Sequence, residues 1–118
     1  MATDTEILNH IQHIYLKIDQ CYRAKEDIAA QIVKERADII GLDSFINDDL
    51  LRIEAGKKPR YDQSAMQANI QRLNNNIILF QETIIKEDKN IAKFREVVKV
   101  LQDDMARPKE IIIDMTGK

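Results

Sequence analysis

From Met66 onward the chain steps by four and three residues through Met66, Ile70, Leu73, Ile77, Phe80, Ile84, Glu87, Ile91, Phe94, Val98, Leu101 and Met105, and every step but Glu87 lands on an apolar side chain. A spacing of about 3.5 residues held for this long is the seam of a helix that packs along its whole length against other helices. The first half keeps the same rhythm through Ile7, Ile11, Ile14, Ile18, Cys21, Ile28, Ile32, Ile39, Leu42, Ile46 and Ile53, with Lys25, Glu35 and Asp49 as its exceptions. The class that follows is all-α with coiled-coil-like packing. Composition agrees: 44% hydrophobic, 32% charged, 5% aromatic, no Trp and only three Gly read as helical rather than disordered or β-rich.

Helix boundaries are marked by capping chemistry. Thr3 followed by Glu6 fits a capping box, and Asp4 is placed to favour the positive end of the helix dipole. Gly56, Pro59 and either Asp62 or Ser64 supply a stop, a break and a new cap, and Ser64 with Gln67 is a second capping-box match. Two helices are therefore expected, over residues 4 to 55 and 63 to 106, the second roughly 65 Å long at 1.5 Å per residue. Gly41 is the ambiguous point, because it can end a helix and let Asp43 or Ser44 cap another. The seam keeps its phase across Gly41, and a helical Gly costs only about 1 kcal/mol relative to Ala. A continuous or bent helix is the favoured reading and a break there the alternative. Arg107-Pro108 stops the second helix, leaving a single helical domain over residues 1 to 107 and a tail over 108 to 118. In that tail Ile111, Ile112 and Ile113 read as a short strand or extended arm, three β-branched residues in a row after a proline.

A short connection between long helices makes them antiparallel neighbours, an αα-hairpin. If Ile53 faces Met66, then Ile46 meets Leu73, Ile39 meets Phe80 and Ile18 meets Leu101, so the two seams match layer by layer. A hairpin buries one face of each helix, and so thin a core leaves apolar area barely offsetting chain entropy. Ile78, Leu79 and Ile85 fall outside the seam defined by Ile77, Ile84 and Ile91, and Tyr15 and Tyr22 form a second stripe beside the first helix's seam. One partner helix cannot cover all of them. Dimerisation of hairpins into a four-helix bundle is the expected closure, with Ile77, Ile78, Leu79, Ile84, Ile85, Tyr15 and Tyr22 as its interface or that of a protein partner.

Candidates for chemistry are few. Glu6, His10 and His13 share one side of the first helix, but no second Glu/His set completes a bundle-type dimetal centre, and exposed surface histidines are the better reading. Glu35 and Glu87 interrupt both seams in mid-helix and are read as a polar layer that sets register rather than as a proton-sharing or cation-binding pair. Lys25 is expected to lay its stem along the Phe94 ring with its ammonium in water. Cys21 sits on the seam without a His spaced to activate it, so a packed thiol is expected. No catalytic, cofactor or metal residue is assigned.

A net charge of −2 supplies no general pull toward nucleic acid or anionic membrane. The hairpin tip Lys57, Lys58, Arg60 and Tyr61 concentrates three cations and an aromatic, which keeps phosphate contact open as the weaker alternative to a solvated turn. A lone cysteine excludes an internal disulfide framework, the start of the chain lacks the pattern of a signal peptide, and the longest apolar run, Ile77 to Phe80, is far too short for a membrane span. The expectation is a soluble cytoplasmic protein that is not an enzyme and works by self-association and protein binding, as adaptor, assembly factor, chaperone or inhibitor. A nucleic-acid-associated protein using the tip is the alternative.

Overall fold

The computed structural model describes residues 3–106. Two helices account for nearly all of them: α1, Asp4–Glu54, of 51 residues, and α2, Gln63–Ala106, of 44. There is no strand among the described residues. The fold is an all-α helical hairpin. Pro108 and the isoleucines Ile111, Ile112 and Ile113 lie outside the described residues.

Thr3 opens α1 as read from the sequence. Its hydroxyl accepts the Glu6 amide at 3.1 Å and its carbonyl accepts the Ile7 amide at 3.0 Å, with Asp4 and Glu6 in the first turn beside the positive helix end. Gly41 does not break the helix, and a Cβ built on it would meet nothing within 4 Å. The stop comes at Gly56, which holds φ at 77°. Around it the Lys57 amide donates to the Arg52 carbonyl at 2.8 Å and the Gly56 amide to Ile53 at 3.0 Å, the two bonds of a Schellman cap. Between the two candidates for the second cap the structure selects Asp62: its Oδ1 accepts the Ala65 amide at 3.1 Å, and Ser64 falls inside α2.

The chain divides into two compact units, a terminal unit that includes the described residues up to Tyr22 and from Asp88 on, and a turn unit of Arg23–Glu87. In the terminal unit Ile11, Ile14, Ile18 and Cys21 of α1 close on Ile91 and Val98 of α2, with Ile7, Phe94, Leu101 and Met105 packed at the margin. The expected partners Ile18 and Leu101 are both in this cluster. Cys21 is buried in it. The turn unit is built more thinly. Its buried apolar side chains are Ile32, Met66, Leu73 and Ile77, and two acids, Glu35 and Asp49, are buried with them. Ile53, assigned to the seam by its spacing, is exposed in the last turn of α1.

Candidate interaction surfaces

Asp49 anchors a developed polar geometry at the turn. It sits on the seam of α1 less than two turns before the helix ends and is 0% exposed. Its Oδ1 accepts the Arg60 amide at 3.0 Å and its Oδ2 the Tyr61 amide at 2.9 Å. Two loop N–H groups that no helix or strand serves are thereby satisfied by one carboxylate, a charge-assisted arrangement stronger than neutral pairs. Arg52 Nε donates to the Lys58 carbonyl at 3.2 Å, and the Tyr61 ring packs at 5.2 Å, centroid to centroid, on Phe45 of α1. The tip is thus a fastened loop. Lys57, Lys58, Arg60 and Tyr61 all keep exposed side chains on it, while Asp48, Glu54 and Asp62 lie close in sequence and offset their charge. The seam pattern marked Asp49 as an exception without a role; an acid at an apolar position within two turns of a chain reversal is the signal that points to a loop clasp.

Glu35 is the second buried acid. Gln31 Nε2 donates to its Oε1 at 3.2 Å from one turn earlier, and its Oε2 is buried with no hydrogen-bond partner. Glu87 is half-buried. A buried oxygen without a partner costs about 1–3 kcal/mol.

In the terminal unit Arg95 Nη2 donates to the Tyr22 hydroxyl, with the guanidinium carbon 5.7 Å from the ring centroid. Tyr22 and Arg95 therefore share one side of this unit. Tyr15, Leu16 and Tyr22 border a shallow depression with Gln12 and Asp19, open along the flank of α1. Lys17 is stationed over Phe94, its ammonium 6.0 Å from the ring centroid. Lys25 is half-buried.

The residues expected at an interface fall into two groups. Ile77 is buried within the hairpin and Ile84 is half-buried, whereas Ile78, Leu79, Ile85, Tyr15 and Tyr22 are exposed. Val33 and Ile40 of α1, which the spacing did not single out, are exposed as well. On another flank of the turn unit a shallow groove runs between the helices, lined from α1 by Asp38, Gly41, Leu42 and Phe45 and from α2 by Asn69, Arg72 and Leu73.

Glu6, His10 and His13 are exposed, and among the described residues no group of three His, Cys, Asp or Glu side chains is gathered as a metal site would need. No helix among the described residues is long and apolar enough to cross a membrane. The chain matches no known protein family, no curated protein and no solved structure.

Proposed function

We propose that this is a non-catalytic, self-associating helical protein whose work is to bind protein, its own copy first. The observation that carries the reading is the apolar surface left open on the charge-poor first half of α2. Between Gln63 and Ile85 the only charged residues are Arg72 and Glu82, yet Ile78, Leu79 and Ile85 in that stretch are each more than half exposed. Isolated exposed apolar residues need no explanation, but several on a helix depleted of charge have the composition of an interface core. The thin core of the turn unit supports the same reading, because association adds the burial that one hairpin lacks. Dimerisation into a four-helix bundle is the closed form it would take. A cytoplasmic setting belongs to the proposal, since a single cysteine suits a reducing compartment.

Sedimentation of the full chain at micromolar concentration is the test. A dimer is expected, and Ile78→Glu is expected to weaken association and lower the thermal midpoint together, because the charge would enter a desolvated contact. A stably folded monomer would refute the proposal.

A further inference from the structure

Resting on the self-association reading, we infer that the copy-to-copy contact is made by one flank of the turn unit, through Val33 and Ile40 of α1 with Ile78 and Ile85 of α2, and that its occupant is a second copy of this chain. The groove fixes the sides. Asp38 of α1 and Asn69 of α2 both line it, so the opposite flank of each helix faces the other side of the hairpin. At about 100° per residue Ile40 stands about 160° around α1 from Asp38 and Val33 about 140°, while Ile78 stands about 180° around α2 from Asn69 and Ile85 about 160°. All four share the flank away from the groove, and Arg36, also about 160° around α1 from Asp38, stands among them. Leu79 does not: it follows Arg72, a groove residue, by two turns and stays on the groove flank.

The level of these residues argues for a copy of the same chain. Because Glu54 closes α1 and Gln63 opens α2, counting equal rise along both helices puts Val33 level with Ile84 and Ile85, and Ile40 level with Ile77 and Ile78. The midpoint of the pair Val33 and Ile40 therefore lies within one residue, about 1.5 Å, of the midpoint of Ile78 and Ile85. A single two-fold axis through that level exchanges Val33 with Ile40 and Ile78 with Ile85 of the other copy, the self-complementarity that an isologous interface requires. Three of its four ends are polar, since the next positions one heptad away are Glu26, Asn47 and Gln71, and the fourth is the small Ala92.

Area agrees with the same occupant. Val33 is 67% exposed, Ile40 69%, Ile78 52% and Ile85 55%. Four such side chains offer on the order of 400 Å² of apolar surface per chain, about half of the roughly 800 Å² per partner that a stable interface buries, and a polar rim supplies the remainder.

The experiment combines sedimentation with site-directed crosslinking of the full chain. Ile40→Lys and Ile85→Lys are expected to weaken dimerisation at least 100-fold, and Leu79→Lys to leave it within about threefold. In a Cys21→Ser background, Gln81→Cys lies at the midpoint level on the proposed flank and is expected to give a covalent dimer with a short bismaleimide, while Thr83→Cys on the groove flank gives none. The crosslink decides the matter even where a lysine variant fails to fold. Dimers that survive Ile40→Lys but dissociate with Leu79→Lys, or crosslink through Thr83→Cys and not Gln81→Cys, would overturn this face and leave self-association standing. A helical wild-type monomer at tens of micromolar would overturn both.

Discussion

The Asp49 carboxylate and the Tyr61 backbone amide meet at 2.9 Å across 12 residues of sequence, and through this bond the hairpin loop is held down on the helix that precedes it. The second carboxylate oxygen holds Arg60 in the same way. Asp49→Asn keeps one acceptor and turns an N–H₂ toward a backbone N–H, so it is expected to cost about 1–3 kcal/mol, and Asp49→Ala, which leaves both amides without an acceptor, about 2–4 kcal/mol. Urea unfolding of the two variants checks the order. Amide exchange at Arg60 and Tyr61 is expected to accelerate in both.

Replacing Glu35 and Glu87 together by Leu is expected to keep or raise stability, because it removes a buried oxygen without a partner and fills the seam with apolar volume. Register and oligomer choice are expected to loosen at the same time, since a polar layer penalises mispaired alternatives. Thermal unfolding and sedimentation of the double variant read the two effects separately. A large loss of stability would show that Glu35 makes a contact essential to the fold.

One substitution has opposite signs at two glycines. Gly41→Ala is expected to gain about 1 kcal/mol, because the site is helical and its Cβ would meet open space. For a domain of this size that is a rise of about 3–5 °C in the thermal midpoint. Gly56→Ala is expected to lose about 1–2 kcal/mol, since φ of 77° is strained for any residue with a Cβ.

Salt distinguishes an apolar contact from one made through the tip cations. On the proposed self-association, the dimer dissociation constant is expected to change less than about threefold between 50 and 500 mM salt, because exposed charges more than a Debye length away are screened and the contact itself is apolar. Alanine at Lys57, Lys58 and Arg60 is expected to leave it unchanged. A steep loss of association with salt would place the contact at the tip instead.

The two helices and the caps at their described ends were legible in the residues alone. Period and capping are local properties: the step of three and four residues needs only a helix to express it, Thr3 and Asp62 reach amides three residues on, and Gly56 takes a backbone angle that its neighbours cannot. Continuity through Gly41 was legible for the same reason, because the phase of the seam crosses it. The contacts made across the turn were not legible in this way. The seam marked Asp49 as out of place, but its partners are main-chain amides, which every residue carries and no pattern of side chains reveals, so its role waited for the path of the loop. The seam also marked Ile78 and Ile85 as surplus and passed over Val33 and Ile40, because a helical period places residues around one axis and says nothing of which flanks of two helices fall on the same side. That choice belongs to the packing of the two helices, seen in the groove that Asp38 of α1 and Asn69 of α2 line together.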